Sequence, residues 1–403
     1  MGSFFFVKKT GGCRQPGKID SPLNKKLQEV KWGEFRLGDL FEFKGIKQAK
    51  SQGNIPTDEN GIVYVVQSMS NNMVSRKVNR QYLIDIDEAP VEGNCIVLGV
   101  TLPAISYQPN EFGASQVITA RAPFLNNKNS LFFVNIINKH MYQFSYQNKP
   151  GIEIYKNLNI QLPIASTGEI DFAFMENFIS ELEEERISEL NAYLEVTGLK
   201  DYTLTKEEEI ALKGFSSLTW EEFRLGALFE KVNLKFKKKK FDKETDVSKV
   251  KTEKFSLPLV NAKDGDNGIM YYGKPEDFES IEMSIDIVSD GAVSTGNVYS
   301  QPQKTGVLYN AYLIKPNFKV TTEILHFCTS SIFKSIKLKY GYENKAGWEK
   351  VKNETILLPA KNNEPDYPFM ETFISAIQKL VIKDVVLYAD KKINATKIIT
   401  NNY

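Results

Sequence analysis

The sequence predicts an α+β chain of two tandem modules, each a twisted, mostly β unit with short helices that runs into a long helix. Three observations predict it. Trp32-Gly-Glu-Phe-Arg-Leu-Gly-Asp-Leu-Phe-Glu42 returns as Trp220-Glu-Glu-Phe-Arg-Leu-Gly-Ala-Leu-Phe-Glu230, identical at nine of eleven positions. Two further blocks repeat in the same order: residues 151–163 match 347–359, and Asp171-Phe-Ala-Phe-Met-Glu-Asn-Phe-Ile-Ser180 matches Asp366-Tyr-Pro-Phe-Met-Glu-Thr-Phe-Ile-Ser375. After each Leu-Pro pair, Leu162-Pro163 or Leu358-Pro359, the apolar pattern changes from short β-branched runs to a helical stripe. The offsets of 188, 196 and 195 residues are domain-sized and far too long for a solenoid repeat.

Residues 1–30 are basic, hold Gly11, Gly12, Pro16, Gly17 and Pro22, and lack periodicity, so a poorly ordered extension is expected there. The first sheet module is expected over 31–170, with strands at 61–66, 94–100, 116–119 and 131–136, each a β-branched or aromatic run bounded by turn residues. In 171–198, Met175, Ile179, Leu182, Ile187, Leu190 and Leu194 form one stripe of a long helix that Gly198 stops. Residues 199–218 connect the copies, and Thr205-Lys-Glu-Glu208 reads as a capping box opening a short helix. The second module, 219–365, repeats the arrangement with strands at 255–260, 285–288 and 307–314 and a helix near 322–337. A second long helix over 366–400 carries Met370, Ile374, Ile377, Val381, Val385 and Tyr388 at similar spacing. The length and matched phase of the two helices favour their pairing with each other over packing back on their own sheets.

With 42% hydrophobic and 25% charged residues the chain is an ordinary globular one. Cys13, Cys95 and Cys328 are odd in number and widely spaced, which leaves neither a disulfide framework nor a CxxC metal site and favours the cytoplasm. The net charge of +1 conceals an uneven division: residues 171–213 hold four basic and twelve acidic side chains, whereas both sheet modules are mildly basic. A nucleic-acid partner therefore stays compatible with a neutral total.

No catalytic motif is found. His140 and His326 do not occupy matching positions, and there is no Gly-x-Gly-x-x-Gly after a strand, Walker loop, His-Glu-x-x-His or Gly-x-Ser-x-Gly. No metal site and no cofactor site are expected in this chain.

The polar loops at matching places carry base-reading chemistry instead. Gln67, Asn71 and Asn72, followed by Arg76, Lys77 and Arg80, correspond to Asn261, Lys263 and Asn267 when the stretch 67–72 is set against 261–267. Gln147, Asn148 and Lys149 correspond likewise to Asn344 and Lys345. Arg and Lys suit guanine edges, Asn and Gln suit adenine edges, and further Lys residues neutralise phosphates. In the run Lys235-Phe-Lys-Lys-Lys-Lys240, which the first copy lacks at similar density, Lys238 and Lys239 are candidates for phosphate contact. The repeated Trp motif itself is expected to be structural, with Arg36 and Arg224 pairing with an acid.

The duplicated Trp-x-x-Phe-Arg-Leu-Gly-x-Leu-Phe opening, the Asn-Lys-x-Gly and Leu-Pro block, and the Met-Glu-x-Phe-Ile-Ser helix resemble specificity subunits of Type I and Type IIB restriction-modification systems over residues 31 to about 400. The resemblance implies two target recognition domains, each followed by a spacer helix, with the two helices paired antiparallel as a coiled coil under pseudo-twofold symmetry. It also implies a non-catalytic subunit that reads a bipartite, asymmetric target on double-stranded DNA. DNA methyltransferase subunits, and in some systems a nuclease subunit, would dock on it, and S-adenosylmethionine would be bound only by the methyltransferase. Sequence-reading residues vary within the family, so no base contact carries over. Two other classes stay open at this point: an enzyme with a degenerate catalytic centre, and a scaffold for partners other than DNA.

Overall fold

The computed structural model describes residues 22–47, 52–145 and 147–400, with backbone alone for the last six. The chain divides into two compact units, Lys18–Glu189 and Leu190–Tyr403.

The first unit opens with helix α1 (Pro22–Glu29), and its strands are β1 (Trp32–Arg36), β2 (Glu42–Ile46), β3 (Thr57–Val65), β4 (Val74–Val78), β5 (Cys95–Gly99), β6 (Ile105–Gln108), β7 (Gly113–Ala114), β8 (Val117–Arg121) and β9 (Asn159–Pro163). They form a four-stranded sheet in the order β2-β8-β5-β6, a three-stranded sheet β4-β3-β7 and the pair β1-β9. Helix α2 (Asn129–Asn138) lies between β8 and β9, and the long helix α3 (Phe172–Val196) follows.

The second unit repeats this plan with two added strands. Helix α4 (Lys206–Gly214) leads into β10 (Trp220–Arg224), β11 (Phe229–Val232), β12 (Val247–Ser248), β13 (Leu257–Val260), β14 (Ile269–Gly273), β15 (Ser284–Val288), β16 (Val298–Gln301), β17 (Gly306–Val307), β18 (Ala311–Pro316), β19 (Thr355–Lys361) and β20 (Glu364–Pro365). The sheet orders β11-β18-β15-β16, β12-β14-β13-β17 and β10-β19-β20 match those of the first unit apart from the added edge strands β12 and β20, down to the parallel pairs β3-β7 and β13-β17. Helices α5 (Thr322–Ile336) and α6 (Tyr367–Thr400) complete it.

The three sequence blocks that repeat are brought together in each unit. The Trp motif supplies β1, whose antiparallel register sets Trp32 against Pro163 and Phe35 against Ile160 of the second block; in β10 Trp220 faces Pro359 and Phe223 faces Ile356. The third block starts from that strand: Asp171 N–H donates to Pro163 O at 2.9 Å and Asp366 N–H to Pro359 O at 2.8 Å. Each Asp then caps its helix by accepting from the N–H three residues on, Phe174 at 2.8 Å and Phe369 at 3.1 Å. Trp32 stacks on Phe132 and Trp220 on Phe327, with ring centroids 6.3 Å apart in both. The Leu of the motif, Leu37 or Leu225, is fully buried. The Gly after it is required by close approach, since a Cβ at Gly38 would stand 2.9 Å from Lys156 O and one at Gly226 2.8 Å from Lys352 O. Arg36 pairs with Asp39 and Asn157, but the second copy has Ala227 in place of the acid, and Arg224 bonds Asn353 alone. The partner common to both arginines is the Asn, not the expected acid.

Four expectations change. The extension at residues 1–30 lies outside the described residues up to 21, but 22–29 form α1, whose Lys26 contacts Glu181 of α3 at 2.5 Å. The helix α4 matches it, with Glu208 bonded to Ser375 and Lys379 of α6. The run 131–136, read as a strand, is the middle of α2: Phe132, Phe133, Ile136 and Ile137 are buried at helical spacing, so core packing overrides the β propensity of the aromatic and branched residues. The second stripe shifts after Ile377, because Ile382, Val386 and Ala389 turn inward while Val381, Val385 and Tyr388 are 73%, 38% and 53% exposed. Finally, the alternative of packing on the home sheet is realised together with pairing. Met175 and Ile179 of α3 belong to the first core, and Met370 of α6 to the second. Within the second unit, Leu190 and Leu194 from the end of α3 pack with Ile382, Val386 and Ala389 of α6. The Thr205–Glu208 capping box is formed as read, and Gly198, at φ +72°, ends α3 in a left-handed conformation.

Gly38→Ala and Gly226→Ala should each destabilise their own module by about 1–3 kcal/mol, because a methyl there meets backbone that cannot withdraw. Calorimetry should show the corresponding transition lowered; an unchanged thermogram would contradict the close-approach account.

Candidate nucleic-acid interface

The loop that leaves β3 and the loop that leaves β13 share their backbone hydrogen bonds. Val66 N–H donates to Met73 O at 2.9 Å, and Asn261 N–H to Gly268 O at 3.2 Å. Ser68 N–H donates to Val66 O and Lys263 N–H to Asn261 O, both at 2.8 Å; Met73 N–H donates to Ser70 O and Gly268 N–H to Gly265 O, both at 3.0 Å. The loops therefore correspond residue for residue at an offset of 195, which sets Asn261 against Val66 and Ala262 against Gln67. The sequence alignment of Gln67 with Asn261 is one residue out at that end.

Both loops close through three successive left-handed residues. Asn71, Asn72 and Met73 have φ of +50°, +49° and +64°; Asp266, Asn267 and Gly268 have +45°, +53° and +73°, and in the second loop Gly265 before them is also at +80°, where the matching Ser70 is extended at −125°. For a residue with a Cβ this conformation costs on the order of 1 kcal/mol and needs support from its surroundings. The support is a reciprocal amide bridge found in both modules. Asn72 donates to Tyr107 O at 3.1 Å while Gln108 donates to Asn72 O at 2.9 Å; Asn267 donates to Ser300 O at 2.9 Å while Gln301 donates to Asn267 O at 2.8 Å. Asn72 and Asn267, expected to read bases, hold the loop instead. Gln108 and Gln301, which sequence reading passed over, are their partners; both end a strand, and a Gln at a similar distance from the loop Asn in the two copies, 36 and 34 residues on, was the signal available.

Most of the other expected residues are also committed to the protein. The Gln67 side chain donates to Gln116 O at 2.9 Å, and its oxygen accepts from Val100 and Thr101 N–H at 2.9 and 2.7 Å. Asn71 donates to Val74 O at 2.8 Å. Arg76 bonds the carbonyls of Gln52 and Ile55 and lies over the Tyr64 ring, Lys77 bonds Glu59 O, and Arg80 forms a two-pronged pair with Glu111 at 2.7 and 2.9 Å. Buried Asn261 accepts from Asn310 N–H at 3.1 Å. Lys263 reaches Ile269 O and pairs with Asp266 at 2.5 Å. Lys238 neutralises Asp246 and Asp277, which are nearly buried, and these carboxylates hold its pKa above the usual lysine value. Asn148 donates to Gln143 O and Asn344 to Lys339 O, five residues back in each copy, so these two amides close matching turns. Lys345 pairs with Asp290 at 2.5 Å. Gln147, Lys149 and Lys239 are exposed.

What stays outward on the two pinned loops is the short stretch between the first turn and the bridge. Met69 is 74% exposed and Asp266 70%, and Ser70, Asn71, Asp264 and Gly265 are exposed with them. In the second module Tyr299 stiffens this stretch: its hydroxyl accepts from Gly265 N–H at 3.0 Å and lies 2.9 Å from the Asn297 amide, which also donates to Asp264.

The floors below the loops differ. The first module packs Met73 and Val97, which are buried; the strand registers place Gly268 and Asp286 at the same positions in the second. A Cβ on Gly268 would stand 2.5 Å from the Asp286 carboxylate and 2.8 Å from Tyr299, so the glycine makes room for them. Both Asp286 oxygens are buried without a hydrogen-bond partner in the described residues, and desolvation pushes the carboxyl well above the usual range.

Asp286→Val, the residue of the first module, should stabilise the second module near neutral pH by roughly 1–3 kcal/mol, because no bond is lost and a desolvated polar group is removed. The wild type should also lose stability as pH rises from near 4, where the unfolded carboxyl ionises, up through the raised folded pKa; below pH 4 the gap to the variant should stop changing with pH. Denaturant melts of both variants across pH 3 to 8 test this, and equal stability throughout would refute it.

Residues 29–192 and 217–387 each match the model of the Type I restriction modification DNA specificity domain. The chain is 24% identical over 364 residues to the Type II restriction enzyme BgcI specificity subunit S.BcgI of Heyndrickxia coagulans, covering 88% of this chain and 96% of that protein. Among solved structures, the S subunit of a Type-I restriction-modification system from M. genitalium shares the fold at a TM-score of 0.52 and 14% identity, over 93% of this chain and 95% of that one. Two copies of the domain fill most of the sequence, and the chain belongs to the Type I restriction modification DNA specificity domain family.

Proposed function

We propose that this chain is the DNA sequence-specificity subunit of a restriction-modification system, with no catalytic activity of its own, and that it acts in the cytoplasm. The observation that carries the reading is the duplication itself. Two modules of one topology keep their pinned loops bond for bond while the exposed residues on those loops differ. A single-site binder has no use for the second copy, whereas a bipartite target does.

Each module reads one half-site, and because the exposed loop residues differ, the half-sites differ. The long helices act as the spacer. With 25 residues in α3, a rise of about 1.5 Å each gives a rod of roughly 37 Å, comparable with one turn of DNA, so half-sites centred about 10 base pairs apart are expected if the helices run antiparallel. Exposed Lys239 and Gln147 face solvent, where the phosphate backbone and groove edges would lie. Among the described residues no helix is long and apolar enough to cross a membrane.

Methyltransferase subunits bring S-adenosylmethionine and the chemistry. The surface offered to them is the outward face of α6, where Leu380, Val381, Val385, Leu387 and Tyr388 are all more than a third exposed. Such a run of apolar side chains is costly to leave in water and is characteristic of a docking face.

Two outcomes are expected. Co-expression with the cognate methyltransferase, followed by genome-wide mapping of modified bases, should yield a two-part asymmetric motif with an unread spacer; a continuous palindrome would refute the arrangement. Val381→Asp combined with Val385→Asp should weaken methyltransferase co-purification at least on the order of tenfold while the melting profile is preserved, since both side chains face solvent.

A further inference from the structure

We propose that residues 68–71 and 263–266 are the exchangeable base-reading tips of the two modules, and that the first favours an A·T pair and the second a G·C pair. The proposal rests on the DNA-specificity reading above and assigns that function to four positions in each copy.

The tips are set apart by a contrast between backbone and side chain. Every backbone hydrogen bond that shapes one loop has its equivalent in the other, and so does the reciprocal bridge between Asn72 and Gln108 or Asn267 and Gln301. Each loop also ends in three left-handed residues, a conformation that folding alone does not favour and that recurs where function needs a fixed geometry. Between the two supports the residues are Ser-Met-Ser-Asn in the first copy and Lys-Asp-Gly-Asp in the second, different at all four positions. A bonded frame kept in both copies around exchanged side chains, half-buried at Ser68 and Lys263 and exposed at the other three positions, is the arrangement required to present two different readouts from one scaffold.

The chemistry of the tips points to different base pairs. Ser68, Met69, Ser70 and Asn71 are uncharged; the second amide hydrogen and the oxygen of Asn71, beyond the donor it gives to Val74 O, suit an adenine edge, and the Met69 thioether offers an apolar contact for the thymine methyl. Lys263 has a third N–H, beyond those on Ile269 O and Asp266, for a guanine acceptor, while Asp266 can accept from the exocyclic amine of cytosine. The Lys263–Asp266 pair at 2.5 Å already holds a donor beside an acceptor, the pattern that a G·C edge presents in reverse.

The test is reciprocal exchange in the full chain, co-expressed with its methyltransferase, with the modified motif mapped genome-wide. Ser68→Lys, Met69→Asp, Ser70→Gly and Asn71→Asp together should change one or two positions of the first half-site from A·T to G·C and leave the second half-site and the spacing untouched. An unchanged motif at full methylation would overturn the proposal. If the exchange abolishes methylation through misfolding, Met69→Ala and Asp266→Ala decide the matter, because their exposed side chains are not part of the frame. Each should relax discrimination at one position of its own half-site on the order of tenfold, and full stringency in both would equally overturn the proposal. Failure of the underlying reading is distinguishable, because the wild-type chain would then direct no sequence-specific methylation at all.

Discussion

The structure depends on a short antiparallel strand pair, made twice. In β1-β9 and β10-β19 the first repeated block lies against the second, and the third leaves directly from it through the Asp171 or Asp366 amide. This joint welds the start of each long helix to its own sheet module. Met175 and Met370, both fully buried one turn into the helices, lock that junction from the core side. A helix that must place a reading module at a defined distance is useful only if its first turn cannot swivel, and backbone pairing resists swivelling better than side-chain packing alone. The near identity of the Trp motif follows, because its Leu is fully enclosed, its Gly admits no methyl and its Trp stacks at the same distance in both copies.

A second separation, between frame and tip, is built on the first. Amide side chains are usually taken for base readers, yet Asn72, Asn267, Asn148 and Asn344 all spend their amides on backbone carbonyls in matching positions. The reason is energetic. A left-handed turn with a side chain at each position is stable only if its polar groups are paired, and Asn tolerates that conformation while bonding outwards. Residues that satisfy such a turn in both modules cannot also discriminate between two different half-sites. The basic residues of the first module behave in the same way: Arg76 and Lys77 tie β4 back to neighbouring carbonyls, and Arg80 is held in a two-pronged pair by Glu111.

Much of this organisation was legible in the sequence, and the failures have identifiable causes. The duplication, the strand-to-helix change of period, the capping box at Thr205 and the structural role of the Trp motif could all be read, because each leaves a local or repeated pattern. The strand assignment of 131–136 failed because a fully buried helix and a buried strand are both dense in Phe, Val and Ile; the helical spacing of Phe132, Phe133, Ile136 and Ile137 becomes decisive only once the core face is known. The helix α1 was missed because eight residues with two lysines show no stripe of their own and are ordered by contacts with α3 and the Trp32 indole, which donates to Leu27 O. The site was the least legible part. Whether an Asn or Lys faces solvent or a carbonyl depends on backbone left-handedness and on partners such as Gln108 and Gln301, more than 30 residues away.

The two modules are also unequal in charge, and the tips account for the direction. A loop bearing two carboxylates approaches a phosphate backbone only where neighbouring cations more than offset them, since like charges repel over about 8 Å at physiological ionic strength. Residues 231–254, which lead from β11 towards β13, hold ten lysines and four acidic side chains; the matching residues 43–59 of the first module hold three lysines and two acidic side chains. Some of this positive charge is spent internally, as Lys238 is on Asp246 and Asp277, but Lys239 and Lys240 remain on the surface. The neutral tip of the first module needs no such excess. On the proposed reading, the lysine run offsets the acidic tip, and the second module is expected to be the more salt-sensitive of the two.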